Sequence, residues 1–289
     1  MKKKLLILGA SGALGQYILK ESQQRDLHIR ALIRSKEGYD KIKSYTEDIW
    51  WADAEENTDK IRGITKDIDY VISAMGKSVS LFSPDSDSFY EEDYKANLNI
   101  LKDALNNNVE RFFYVSMKGA EEASDYTIPR MHRLVEKELE KSGLSYSIIR
   151  PVGFYSGLND LIIMAKRKII PIIGNGKAKT NSIFHGDLAN YIMAEFLKLP
   201  KLVEVGGPKI HTREEMAKMI KDRIGGEILK VPNMIAKHGS KLPQLPQLDE
   251  VSDKLSYFRY IMTHDMIAEK HGTMSFETYL DQLDFETIK

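Results

Sequence analysis

Residues 3–21 read KKLLILGASGALGQYILKE. Leu5, Leu6, Ile7 and Leu8 form a short apolar run, Gly9 ends it, and Gly12 and Gly15 follow at three-residue steps. Apolar side chains resume at Tyr17, Ile18 and Leu19. The pattern predicts a buried strand, a tight turn and a helix whose first turn is poor in bulk. Such a helix start is a cradle of backbone N–H groups suited to a diphosphate. Gly9 allows the turn, Gly12 lets the backbone approach a ligand, and Gly15 lets the helix sit close to the sheet. A tight strand-to-helix turn in an unrelated α/β protein is the competing reading of the same triplet.

The chain has 289 residues, 42% of them hydrophobic, enough for one large domain with a smaller lobe. Lys plus Arg and Asp plus Glu both number 42, so the formal net charge is zero. That argues against a polyanion-binding surface, and no nucleic-acid partner is expected. The Met1-Lys2-Lys3-Lys4 run reads as a solvated lead-in to the first strand. There are no cysteines, which excludes disulfides, thiolate catalysis and Cys-ligated zinc. The seven histidines show no zinc-ligand spacing, so no metal is expected. The composition fits an intracellular, cytoplasmic protein. The N-terminal apolar run is too short for a signal peptide, and no segment reaches membrane-spanning length.

Six candidate strands recur through the first half: Lys4–Leu8, His28–Arg34, Asp48–Asp53, Asp69–Met75, Arg111–Ser116 and Tyr146–Arg150. Helical stretches at Gly12–Ser22, Thr58–Thr65, Glu91–Asn107 and Arg130–Lys141 alternate with them. In the last, Leu134, Val135 and Leu139 form the apolar stripe, leaving Arg133, Glu136, Lys137, Glu138 and Glu140 to face water. This rhythm predicts an α/β protein with a Rossmann-like, doubly wound parallel sheet. After Arg150 the rhythm changes. Residues 1–150 are expected to form a nucleotide domain, and 151–289 a small, mainly C-terminal α/β lobe. Segments near 180–205 return to the main domain. There Asp187 reads as the N-cap of an apolar helix, and Leu202–Val205 as a strand rejoining the sheet. Thr212 and Glu215 make a capping box, and Gly225-Gly226 stops its helix. Pro232–Pro246 is weakly periodic and reads as a lid or an ordered tail. Helical rhythm returns in Tyr257–Glu269 and Phe276–Leu283.

The second strand ends in Arg34, with Ser35 and Lys36 behind it, where such a sheet reads an adenosine ribose. An acid there would suit NAD. Arg34 suits the 2′-phosphate of NADP, and its guanidinium can also lie against adenine. The bland reading is a solvated strand end. Asp53 is placed to accept from an adenine amino group, or to cap an Asx turn. Ala74 and Gly76 are small enough to let a dinucleotide cross the sheet edge, and Asn97 either touches cofactor or ties its helix to a strand. Ser116 ends the fifth strand, where a substrate carbonyl or hydroxyl would be met. A proton donor is then needed, and Tyr126, Lys118 and His132 are the local choices. Pro129 belongs at a helix start, so Tyr126 and His132 are not stacked on one face. His132 reads as an acid, a ribose contact or a polar residue opening a helix. His185 beside Asp187 reads as a turn rather than a dyad.

Together these pieces resemble an atypical short-chain dehydrogenase/reductase, near the NmrA-like NAD(P)-binding proteins. The matching stretches are Gly9-Ala10-Ser11-Gly12-Ala13-Leu14-Gly15, Ala31-Leu32-Ile33-Arg34, Val71-Ile72-Ser73-Ala74, Arg111 to Ser116, Glu136 to Pro151, and His185-Gly186-Asp187-Leu188-Ala189. The resemblance implies that Gly9, Ser11, Gly12, Leu14 and Gly15 surround the diphosphate and that Arg34 faces the 2′-phosphate. Ser116 takes the catalytic-serine position. The usual tyrosine and lysine, four residues apart, fall on Ile128 and His132, so that pair is absent. Pro151, Phe154 and Tyr155 are expected to shape a pocket between sheet edge and lobe. The expected activity is an NADP(H)-dependent oxidoreductase acting on a small carbonyl, quinone or conjugated substrate. One alternative is a non-catalytic NADP(H) sensor whose lobe engages a protein partner. Another is an NAD-dependent epimerase- or dehydratase-like enzyme, which Arg34 disfavours.

Overall fold

A computed structural model describes residues 2–55, 58–77, 80–82, 89–239 and 249–288. The strands are β1 (Lys3–Leu8), β2 (Leu27–Ile33), β3 (Asp48–Trp51), β4 (Tyr70–Ser73), β5 (Arg111–Val115), β6 (Ser145–Pro151), β7 (Ile169–Ile173), β8 (Lys179–Thr180), β9 (Leu202–Gly206), β10 (His211–Thr212), β11 (Glu227–Val231) and β12 (Glu269–Lys270). The α-helices are α1 (Ala13–Ser22), α2 (Lys36–Ile42), α3 (Thr58–Ile61), α4 (Ala96–Asn106), α5 (Thr127–Lys141), α6 (Asn159–Lys166), α7 (His185–Ala194), α8 (Arg213–Ile224), α9 (Asn233–Gly239), α10 (Asp249–Thr263) and α11 (Phe276–Gln282).

Eight strands form one sheet in the order β12-β9-β6-β5-β4-β1-β2-β3, every neighbouring pair parallel. The chain winds outward from β1 through β2 to β3, then restarts at β4 on the other side. That reversal opens a crevice beyond the carboxyl ends of β1 and β4. Alternate residues of each strand feed opposite faces. Leu5 and Ile7 pack with Ile18 and Leu19 of α1 and Leu188 and Ile192 of α7. Leu6 and Leu8 pack with Ile100 and Leu101 of α4 and Val135 and Leu139 of α5. Coverage of both faces is why β1 has no polar alternation in its last four residues.

A further cluster joins Leu161 and Ile162 of α6, Ile170 and Ile172 of β7, Met216 and Ile220 of α8, and Phe276 and Leu280 of α11. β7 pairs with β11 in parallel, and β8 with β10 antiparallel. β9 enters the main sheet between β6 and β12, and α7 packs on α1. A fourth cluster holds Phe89, Ala123, Ile128 and Met131 against Tyr257 of α10. Among the described residues no helix is long and apolar enough to cross a membrane.

Several local expectations change. Glu136 does not face water: it is fully buried, because it finds cationic partners under the sheet edge. Asp187 does not cap its helix. Phe184 holds the N-cap position, and the Asp187 carboxylate instead accepts the Thr273 and Met274 N–H groups at 2.9 and 2.8 Å. The helix expected at Glu91–Asn107 starts as a π turn over Tyr90–Lys95 before α4. α3 stops at Ile61, short of Thr65. α10 begins at Asp249 and ends at Thr263, earlier than the expected Tyr257–Glu269. Of Pro232–Pro246, α9 covers Asn233–Gly239, and 240–246 lie outside the described residues.

Candidate functional site

Gly9 leaves β1 with φ +70°, a left-handed conformation that a side chain resists. Gly12 is the N-cap of α1, and no side chain caps that helix end. Its first-turn N–H groups are therefore open to an anion. Gly15 lies directly on the turn: a Cβ there would sit 2.0 Å from the Gly9 carbonyl oxygen. Around this start runs a cleft of about 200 Å³. Its walls include Gly9, Ser11 and Gly12 from the turn, Arg34 after β2, and Asp53 and Glu55 after β3. Ala74, Met75 and Gly76 after β4 complete it, with Ala96 at the start of α4. An uncapped helix end, a floor without side chains and a cleft at the sheet's reversal fit a dinucleotide diphosphate.

Leu14, Gly15, Ser35, Lys36 and Pro151, also expected as contacts, are not among the residues that line the cleft. Leu14 and Gly15 are buried beneath the turn. Ser35 caps α2, its Oγ accepting the Gly38 N–H at 3.1 Å. Lys36 lies 3.3 Å from Asp40. Pro151 is buried at the end of β6, its carbonyl accepting the Lys118 N–H at 2.8 Å. Asp53 does make an Asx turn, accepting the Glu55 N–H at 2.9 Å, while still lining the cleft. Arg34 reaches Glu55 at 2.9 Å and Asp53 at 4.0 Å, and its side chain is half exposed. Asn97 is buried and accepts the Ser73 hydroxyl at 2.5 Å, tying α4 to β4.

Beyond Gly76 the residues change character. His132, on α5, has its Cε1 3.9 Å from where a Gly76 Cβ would be. Its Nδ1 lies 2.7 Å from the Tyr114 hydroxyl of β5. Burial pushes the Tyr114 phenol well up, so it stays protonated and serves as the donor to Nδ1. His132 then carries its proton on Nε2. Ser116 follows β5 and donates to Glu136 Oε1 at 2.6 Å. Its hydrogen is thus committed, leaving lone pairs to offer. Glu136 also takes a two-pronged bond from Arg150 at 2.8 and 2.7 Å and one from Arg133 at 3.1 Å. Lys118 is held by Glu204 at 2.7 Å. Tyr126 stands elsewhere, at the start of α5, accepting from Arg259 Nη2 at 3.3 Å with its ring 5.2 Å from Tyr260. Tyr155 lies in the lobe core, its hydroxyl donating to the Met274 carbonyl at 3.0 Å. His185 stacks on Phe154 at 4.0 Å, and Asp187 turns away from it to residues 273–274.

Burial holds both His132 and His185 at about 4, down from the ordinary histidine value of 6.5. An unfolded chain takes up these protons near pH 6.5 and the folded chain near 4. Stability is therefore full above 6.5 and falls as pH drops through that window. By pH 5 the expected loss is about 2 kcal/mol per histidine. Urea unfolding midpoints at pH 7 and 5 measure it. The stability–pH slope should flatten in His132→Gln and again in the double variant with His185→Gln.

Residues 9–197, which contain the whole wall of this cleft, match the family described as NAD(P)H-binding. The chain belongs to that NAD(P)H-binding family. The photosystem II assembly factor Ycf39 of Trieres chinensis is 22% identical over 264 residues, 88% of this chain and 80% of the relative. The chloroplastic divinyl chlorophyllide a 8-vinyl-reductase of Cucumis sativus is 25% identical over 79% of this chain, but only 59% of its own length is spanned. The NADPH-complexed quinone oxidoreductase QOR2 of Escherichia coli superposes with a TM-score of 0.72 at 17% identity, covering 96% of this chain and 98% of that one. A Staphylococcus aureus nucleoside-diphosphate-sugar epimerase gives 0.70 at 16%, covering 96% and 100%. This NAD(P)H-binding protein therefore carries a nicotinamide-cofactor fold. Sequence reasoning missed Glu55, which meets Arg34 across the cleft, and Tyr114 and Glu136, which decide what His132 and Ser116 can do. An acid two residues after Asp53 was the available signal for Glu55.

Proposed function

We propose that the chain is an NADP(H)-dependent oxidoreductase acting on a small carbonyl, quinone or conjugated substrate. The carrying observation is the cleft, with Arg34 at one end and His132 just behind Gly76 at the other. Residues 1–150, with the segment returning near 180–205, form its cofactor half, and the small lobe covers the substrate side. NADPH, when bound, supplies a hydride. Gly9, Ser11 and Gly12 hold the diphosphate, and Arg34 shifts from Glu55 toward the 2′-phosphate. Neutral His132 donates Nε2–H to a hydroxyl of cofactor or substrate. Ser116 accepts rather than donates. The proton comes from His132, from Tyr126, whose oxygen accepts from Arg259, or from a bound water. The names of two relatives, a quinone oxidoreductase and a vinyl-reductase, belong to the same reaction class.

Cofactor titration with a carbonyl and quinone turnover screen tests this. Arg34→Ala is expected to weaken NADPH about tenfold and leave NADH nearly unchanged, the loss of one charge-assisted contact of about 1.4 kcal/mol. The double variant His132→Ala, Tyr126→Phe should lower kcat by about 10²-fold or more, and robust turnover in it would eliminate both as proton donors. NAD(H) binding as tightly as NADP(H) sinks the cofactor assignment. The commitment of the Ser116 hydroxyl to Glu136 favours a second reading, a redox sensor that binds NADP(H) without turnover. Tight NADPH binding with no hydride transfer to any member of the screen would select it.

A further inference from the structure

Among the described residues that line the cleft, Arg34 is the one cation, and Asp53 and Glu55 are the acids. The two sides are not held equally firmly. Glu55 stands on a fixed loop. Its N–H donates to Asp53 Oδ1 at 2.9 Å, and the Ala54 carbonyl before it accepts from Asn99 Nδ2 of α4 at 2.8 Å. The Glu55 side chain is 12% exposed, that of Arg34 48%. From its more open position Arg34 extends Nη1 to Glu55 Oε1 at 2.9 Å and toward Asp53 Oδ2 at 4.0 Å. The acid is the anchored member of the pair and the guanidinium the movable one.

An ion pair with so exposed a member adds little to the stability of a fold. Its bearing on a ligand is larger. A phosphate monoester carries about −1.5 to −2 charge at pH 7. Brought to this corner, it meets two carboxylates and a guanidinium already engaged, and it binds by drawing Arg34 away from Glu55. A ribose 2′-hydroxyl is neutral and can donate, so it suits the carboxylates as they stand. The pair therefore weighs on the two nicotinamide cofactors unequally.

We propose that Glu55 sets the preference between NADPH and NADH by competing with the 2′-phosphate for Arg34. The inference deepens the NADP(H) reading, on which it rests. The chain favours NADPH, but by less than Arg34 alone would allow.

NADPH and NADH are titrated by cofactor fluorescence on the full chain, with adenosine 2′,5′-bisphosphate and AMP as probes of the adenosine end alone. Glu55→Gln keeps the size of the side chain and removes its charge. It is expected to tighten NADPH and the bisphosphate about tenfold, while NADH and AMP do not gain. In an Arg34→Ala background the same substitution should gain at most about threefold, from lost repulsion alone. Should Glu55→Gln not fold, Glu55→Ala carries the test in the same direction, since the loop is held by backbone groups that both variants keep. Unchanged or weaker NADPH binding, an equal gain for NADH, or the full gain in the absence of Arg34 overturns the proposal. Parental NADPH affinity in Arg34→Ala would remove the 2′-phosphate assignment and this proposal with it. A selective NADPH loss in Arg34→Ala with no gain in Glu55→Gln would remove the proposal alone.

Discussion

Gly15→Ala is expected to yield little folded protein, whereas Gly12→Ala folds and loses its cofactor. The two glycines are three residues apart in one turn, yet they are glycine for different reasons. A Cβ on Gly15 would lie 2.0 Å from the Gly9 carbonyl oxygen and 2.8 Å from Ala10 Cα. Both are backbone atoms of the turn, fixed by β1, so neither gives way. Relief requires lifting α1 off the sheet, and with it Leu14, Ile18 and Leu19, all buried. The cost is about 4 kcal/mol or more, against a typical total of about 5–15. At Gly12 the backbone is extended, with φ −73° and ψ 170°, which any residue adopts. A Cβ there meets only the Gly9 oxygen, at 3.2 Å. The expected stability change is under about 1 kcal/mol. The protein itself thus gives little reason for a glycine at 12, and a close-lying ligand gives a strong one. NADPH affinity should fall at least tenfold. Thermal melts and an NADPH fluorescence titration on both variants separate the roles. Unchanged affinity in Gly12→Ala would mean that the diphosphate does not lie on that turn.

Those glycines were readable in the sequence because the strand, turn and helix that give them meaning are contiguous. The positions of the first six strands and their parallel sheet were readable for a related reason: each is a short apolar run, and helical stretches alternate with them. Glu136 shows where such reading stops. On a helix wheel it sits among Arg133, Lys137 and Glu140, and polarity alone assigns it to solvent. Its burial is decided by Arg150, fourteen positions later on β6, and by Ser116 on β5, and no local pattern encodes those meetings. The same holds for Arg213. The capping box of Thr212 and Glu215 places the helix correctly, yet says nothing of the burial of Arg213, the first of the two residues between them. Short-range chemistry is written in spacing, whereas charges are buried by elements that the sheet brings together.

Glu136→Gln is expected to destabilise the fold by about 3–5 kcal/mol, the cost of stranding a buried cation. Burial by itself pushes the Glu136 carboxyl upward. The bonds from Arg150 and Ser116, with the charges of Arg150 and Arg133, outweigh that and hold it below the usual glutamate range. Glutamine keeps the volume and one acceptor, so the loss isolates charge. Arg150, 4% exposed, would then have Glu121 and Glu204 as its carboxylates among the described residues, at 3.7 and 3.8 Å. Because the folded carboxyl titrates low, this stability is present above the unfolded glutamate value and disappears as pH falls through the folded one. The glutamine variant should therefore lose most at pH 7 and converge on the parent chain in acid. The consequence reaches Ser116. If its hydroxyl serves mainly to hold Glu136, Ser116→Ala costs about 1.5–3 kcal/mol and leaves kcat unchanged. If it also meets substrate, kcat falls beyond what unfolding removes. Measuring the urea midpoint and kcat on the same Ser116→Ala preparation decides whether the serine at the end of β5 belongs to the scaffold or to the reaction.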